Sequence, residues 1–211
     1  MALELSELIA PGHTALVTQE CQKGVIGPSP VLPELAEAAR PEMIPNAARL
    51  AAAAREAAVP VLHCVAMRRA DGRGSNTNAR LFHGVLRSSV RLLPDSDAVE
   101  VIDEIGVGDD DLVLRRLHGV GPMGGTDLDP VLRNLGVRTI VGVGVSLNVG
   151  MLSFALDAVN LGYQFVMPRD AVAGLPADYA RAVLDNTFSL VATLPDTDAV
   201  VAAWGTGARP Q

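Results

Sequence analysis

Aromatic side chains are nearly missing from this chain: Phe, Trp and Tyr make up 3% of its 211 residues. Its core must therefore be filled by Ala, Val and Leu, a composition that suits parallel strands covered by alanine-rich helices. Cysteine is scarce too. Cys21 and Cys64 cannot build a disulfide framework, and each lies near the end of a strand-like run, so reduced thiols in a cytoplasmic protein are expected. Lys and Arg number 17 against 24 Asp and Glu, a net charge of −7. That balance argues against nucleic acid or an anionic membrane as partner and leaves a small molecule. No apolar run approaches the roughly 18 residues of a membrane span. The opening residues, MALELSELIAPGH, carry early acids instead of the basic and apolar stretches of a secretion signal.

Several motifs are also missing. There is no G-x-S-x-G elbow, which excludes the α/β-hydrolase arrangement of a serine nucleophile. The four histidines show neither H-x-H nor H-x-x-x-H spacing, so no bound metal is expected. The loop GVGPMG, Gly119 to Gly124, fits G-x-G-x-x-G. A dinucleotide site also needs an acid at the end of the next strand, where the chain reads VGVGVS, and Pro122 removes one N–H from the cradle. No cofactor is expected, and the loop reads as part of an active site.

What is present is a regular alternation. Strand-like runs at His13–Gln19, Val59–Met67, Asp110–Leu117, VRTIVGVGV and YQFVMPRDA alternate with helical patterns. Those patterns lie at Ile44–Ala58, SDAVEVIDEIG, TDLDPVLRNLG with Gly136 as its C′ residue, Leu147–Tyr163 and Ala177–Val191. VATLPDTD reads as a short sixth strand. With 49% apolar and 19% charged residues and no linker or repeat, residues 1–211 read as one globular domain. The alternation predicts a doubly wound parallel α/β sheet, in which ligands bind beyond the carboxyl ends of the strands.

That rule directs attention to Glu20, His63, Cys64, Arg115, Arg116, His118 and the loop before Gly150. His63 and Cys64 adjoin in one strand, so their side chains point to opposite faces and cannot pair as base and nucleophile. Glu20 and Arg116 are placed to meet across adjoining strand ends, as a catalytic pair or as a structural ion pair. The arginines of RRADGRGSNTNAR, namely Arg68, Arg69, Arg73 and Arg80, follow the second strand, where a guanidinium clamps a substrate carboxylate or simply faces solvent. Gly150 stands in the first turn of a helix, an unfavourable place for glycine unless backbone room is needed there.

TALVTQECQKGVIG and DLVLRRLHGVGPMGGTDLDPVLRNLGVRTIVGVGVSLNVGMLSFALDAVNLGYQFVMPRDA resemble, in content and order, the isochorismatase-like hydrolases. The resemblance covers nearly the whole chain. It implies a three-layer α/β/α fold around a six-stranded parallel sheet, and a homo-oligomer with sites near subunit interfaces. In the cysteine-hydrolase branch an Asp ends the first strand, a Lys ends the third and a Cys opens the helix after the fourth. Glu20, Arg116 and Gly150 fall at those three positions, with Arg115 an alternative to Arg116. Without a thiolate at Gly150 no thioester forms there. True isochorismatases resemble this chain in carrying Gly, and their reaction is acid-assisted addition of water to a vinyl ether.

Taken together, these readings expect catalytic Glu20, Arg116 and Gly150, and substrate contacts from Val145, Ser146, Asn148, His118, Arg115 and Arg73. The resemblance also implies a non-proline cis peptide at Val145–Ser146. Two further readings stay open. One is a non-catalytic binding or regulatory protein on the same scaffold; the other is a cysteine hydrolase whose nucleophile is displaced to Cys64 or Cys21.

Overall fold

The computed structural model describes residues 4–207. Six strands form one sheet: β1 (Thr14–Gln19), β2 (Val61–Ala66), β3 (Leu112–Arg116), β4 (Thr139–Val145), β5 (Gln164–Val166) and β6 (Val172–Ala173). They pair in parallel in the order β3-β2-β1-β4-β5, and β6 continues along β4 past the end of β5. Ten α-helical segments surround them among the described residues: α1 (Leu5–Leu8), α2 (Lys23–Ile26), α3 (Pro33–Ala39), α4 (Met43–Glu56), α5 (Arg80–Arg87), α6 (Leu128–Asn134), α7 (Leu152–Asn160), α8 (Ala177–Val183), α9 (Ser189–Val191) and α10 (Thr197–Gly207).

Two cores follow from the alternation of side chains along each strand. Leu16, Val61, Val65 and Val141 point to one face and meet Ala47, Leu50, Ala51 and Ala54 of α4 together with Trp204 of α10. Those α4 residues recur at three- and four-residue spacing, so one stripe of the helix is buried. Ala15, Val17, Leu62 and Ile140 point to the other face and meet Leu132 of α6, Phe154 and Ala155 of α7, and Phe188. Every residue of β1 and β4 is buried, as central strands covered on both sides require. By contrast, β3 is an edge strand with Leu112 and Val113 exposed.

Some elements differ from the sequence reading. SDAVEVIDEIG contains only a 3-10 turn at Asp97–Val99, because its backbone pairs with the loop after β1 instead of closing a helix. Lys23 N–H donates to Glu100 O at 2.8 Å and Ile102 N–H to Cys21 O at 3.1 Å. The fifth strand stops at Val166, beside Pro168, which has no N–H for a ladder. The sixth strand is Val172–Ala173, whereas Thr193 of VATLPDTD makes an isolated bridge to Val166. The helix after β4 opens with a π turn at Leu147–Met151 and ends at Asn160. Helices α3 and α10 were not foreseen. The latter is anchored by Trp204, whose indole N–H donates to Ile9 O at 2.9 Å.

Candidate active site

The carboxyl ends of β1, β2, β3 and β4 surround a cavity of about 110 Å³. Glu20, Arg68, Arg116, His118, Ser146 and Gly150 all line it. Glu20 follows the last residue of β1 and has a left-handed backbone, φ 54°, which costs a residue with a Cβ roughly 1–2 kcal/mol. The turn is held by Glu20 N–H donating to Cys64 O at 2.8 Å.

Arg116 is the last residue of β3, and its side chain is 4% exposed. Its Nη2 donates to Glu20 Oε1 and to Val120 O, the latter at 3.2 Å. The strands carrying this pair do not adjoin. β2 lies between them, so two long side chains bridge roughly 10 Å of sheet, twice the usual strand spacing. Arg115, next in the chain, points to the other side of the edge strand. It is exposed, donates to Pro94 O at 3.5 Å, and does not line the cavity.

Gly150 is buried in the π turn. A Cβ built there would lie 3.1 Å from Gln19 Nε2, 3.1 Å from Val120 O and 3.2 Å from Val145 O. The glycine is thus hemmed in by one amide nitrogen and two backbone carbonyls. The Val145–Ser146 peptide bond is cis, as the resemblance implied. Ser146 faces the cavity. The Val145 side chain belongs to the core, leaving its backbone as the part near Gly150. Asn148 does not line this cavity; its amide donates to Leu175 O at 3.0 Å and ties down the chain after β6. His118 does line it, with Nε2 3.3 Å from Gly125 O. Arg73 is exposed and outside the lining. Among the four loop arginines, Arg68 is the one that reaches the cavity.

Both cysteines are buried and neither lines the cavity. Desolvation pushes the Cys21 thiol up to about 12, with the Glu20 charge adding to it. Desolvation likewise pushes Cys64 up to about 12, although Arg116 pulls the other way. Thiolate formation is thus disfavoured at both positions, and neither is placed to attack a molecule in this cavity. His63 and Cys64 face opposite sides, as strand alternation requires. His63 sits beneath α4 in a buried chain: Nδ1 lies 2.8 Å from Thr18 Oγ1 and Nε2 3.1 Å from Asp111 Oδ2, which Arg55 Nη2 meets at 2.6 Å. It does not line the cavity, and its contacts tie β1, β2 and α4 together beneath it.

Sequence reasoning missed the glutamines. Gln22 is fully buried and spans two segments. Its Oε1 accepts from Ala66 N–H at 2.7 Å, and its Nε2 donates to Ala66 O at 2.9 Å and Ala98 O at 3.0 Å. Gln19 donates to Val120 O at 3.2 Å and fills the space beneath Gly150. Asn76 Oδ1 accepts from Gly119 N–H at 2.8 Å and joins two loops over the cavity. The available signal was a polar residue, Gln19, closing a mostly apolar run.

Among the described residues no group of three or more His, Cys, Asp or Glu could hold a metal ion. No helix there is long and apolar enough to cross a membrane.

Comparison with known proteins agrees with this architecture. A crystal structure of a cysteine hydrolase from Pseudomonas syringae pv. phaseolicola 1448A superposes with a TM-score of 0.84 at 26% identity, covering 95% of this chain and 96% of that one. The N-carbamoylsarcosine amidase from Thermoplasma acidophilum shares the fold, with a TM-score of 0.68 at 24% identity, covering 88% of this chain and 97% of that one. Among curated proteins, the uncharacterized isochorismatase family protein YwoC of Bacillus subtilis (strain 168) is 38% identical over 93 residues, 44% of this chain and 49% of its own length. The ureidoacrylate amidohydrolase RutB of Rhizobium rhizogenes (strain K84 / ATCC BAA-868) is 32% identical over 105 residues, 48% of this chain and 42% of its own. The chain thus matches about half the length of these curated relatives. Residues 14–199 match the isochorismatase domain, and the chain belongs to the isochorismatase family.

Proposed function

We propose that this protein is a cofactor-free hydrolase that works without a cysteine nucleophile, adding water to a small, carboxylated molecule with acid assistance. The observation that carries the reading is the meeting of Glu20 and Arg116 at a cavity that Gly150 also lines. Glu20 in its acid form delivers a proton to an unsaturated carbon of the substrate. Arg116 Nη2 stabilises the carboxylate left behind, and water adds to the resulting oxocarbenium-like carbon. The carboxylate then takes the proton released by that water, which restores the acid, and the resulting hemiacetal-type adduct collapses: its C–O bond to the departing alcohol breaks, its hydroxyl proton passes to that oxygen, and a carbonyl product remains. Gly150 occupies the position where the resemblance places a cysteine, and with no side chain there it offers no nucleophile for a thioester. Desolvated thiols outside the cavity support a non-covalent course over a thioester. The reading also includes a cytoplasmic homo-oligomer. Reduced Cys21 and Cys64 support the first part, and exposed Leu156, Val159 and Leu190 on the outer face of α7 and α9 support the second.

Replacing Glu20 by Gln keeps the shape and removes the transferable proton. Turnover of a vinyl-ether substrate found by screening is expected to vanish while the circular dichroism spectrum and cooperative melting persist. Unchanged turnover would sink the assignment. The pairing of Glu20 with Arg116 also favours a second reading, a ligand-binding protein whose carboxylate is permanently neutralised. That reading predicts thermal stabilisation by ligands with no turnover of amides, vinyl ethers or esters.

A further inference from the structure

The cavity carries one more positive than negative side chain. Glu20, Arg68 and Arg116 are its charged lining residues, and Glu20 is already matched by Arg116. The Arg68 guanidinium has no hydrogen-bond, ion-pair or ring partner among the described residues, although it is half-buried beside apolar walls. Other arginines nearby are committed or turned away: Arg69 pairs with Asp71 at 2.8 Å, and Arg115 donates to Pro94 O. The Arg116 nitrogens not bonded to Glu20 or Val120, Nε and Nη1, are out of reach of solvent. An uncompensated guanidinium in such surroundings loses hydration without regaining a counter-charge.

The backbone of Arg68 is fixed where it can serve a ligand. Its N–H donates to Leu92 O at 2.7 Å, and the preceding Met67 N–H donates to Arg116 O at 2.9 Å. Arg68 lies two residues beyond the end of β2, the strand between those of Glu20 and Arg116. Leu35, Leu81, Phe82, Val85 and Leu92 supply the apolar wall.

We propose that Arg68 is the specificity-determining residue of this site and takes the carboxylate of a small monoanion whose body is apolar. The planar fork of a guanidinium fits a carboxylate through two parallel hydrogen bonds, and the apolar wall accepts the rest of the molecule. This rests on the hydrolase reading only for the location of the site, because it concerns recognition and not turnover.

Matched acid and amide probes test it: butyrate against butyramide and benzoate against benzamide. Affinities are measured by calorimetry and thermal shift on the wild type, Arg68→Gln, Arg68→Lys and Glu20→Gln proteins. Each acid is expected to bind the wild type at least about tenfold more tightly than its amide, the worth of a charge-assisted pair. Arg68→Gln should bring acid and amide within about twofold, and Arg68→Lys should keep part of the preference. Glu20→Gln should retain it, so loss of the hydrolase reading and loss of the Arg68 assignment give different results. The proposal is overturned if acid and amide bind the wild type alike, if neither binds, or if Arg68→Gln preserves the preference. Should the Gln variant not fold, a Lys variant with undiminished preference overturns it equally.

Discussion

Gly150→Ala adds one methyl where three polar atoms already converge at 3.1 to 3.2 Å. Ordinary van der Waals contact from a Cβ begins nearer 3.4 Å, so each neighbour must yield a few tenths of an ångström. Gln19 Nε2 ends a flexible side chain and can retreat, whereas Val120 O already accepts from Arg116 and Val145 O belongs to the buried central strand β4. Overpacking of this kind costs about 1–3 kcal/mol. Ala in place of Gly within a helix returns up to about 1 kcal/mol. The balance is a loss of about 1 kcal/mol, which lowers Tm by roughly 2–4 °C for a chain of this size. Gln19→Ala removes one of the three contacts, so the double variant should lose less than the sum of the singles by about 0.5 kcal/mol or more. Scanning calorimetry and urea titration of the four proteins measure both quantities. A Tm raised by Gly150→Ala alone would show that the position is open and that its glycine needs another explanation.

Other consequences are independent of this one. Burial holds His63 below its ordinary 6.5 despite its bond to Asp111, so the folded state binds that proton less readily than the unfolded chain. Its contribution is complete above pH 6.5 and declines as pH falls below that value, and His63→Gln should flatten stability in that window when followed by urea melts. Asp111 is raised by burial but lowered further by Arg55, the Gly108 N–H and His63, ending below its ordinary 3.8. Its contribution holds above that pH and is lost as pH falls through the depressed value, which should appear as a second acid transition that Asp111→Asn abolishes. Gln22→Ala deletes three buried hydrogen bonds and leaves the Ala66 N–H unpaired, an expected loss of about 2–4 kcal/mol by chemical denaturation; a change under about 0.5 kcal/mol would mean that the clamp does not form. Neither thiol of the native protein should react with iodoacetamide at pH 8 over hours, and both should react in denaturant; rapid native labelling would contradict their burial.

The fold was readable because its parallel strands are apolar runs separated by helical periods, and β1 and β4 are wholly buried as such runs require. Segments whose partners lie far away in sequence were not. SDAVEVIDEIG has helical composition, yet its backbone is claimed by Cys21, Gln22 and Lys23, some 80 residues earlier. VATLPDTD was read as a strand, but the place beside the end of β4 goes to Val172 and Ala173, beyond the proline that follows β5. At the site, Glu20, Arg116 and Gly150 converge on one cavity, while Arg115, Arg73 and Asn148 lie outside its lining. A one-residue step along β3 reverses which face a side chain sees, so Arg116 enters the cavity and Arg115 leaves it. Gln22 carried no local signal, since its role depends on Ala66 and Ala98 being brought beside it.

On the proposed mechanism, proton transfer at Glu20, and no thiol, drives the chemistry. Turnover of the best vinyl-ether substrate should be compared in the wild type, Glu20→Gln and a Cys21→Ala/Cys64→Ala double variant. The Cys-free protein should keep its rate within a few-fold, and Glu20→Gln should lose about 100-fold or more, the usual worth of a general acid–base group. A Cys-free protein that is dead, or a Glu20→Gln protein that turns over normally, would contradict that mechanism.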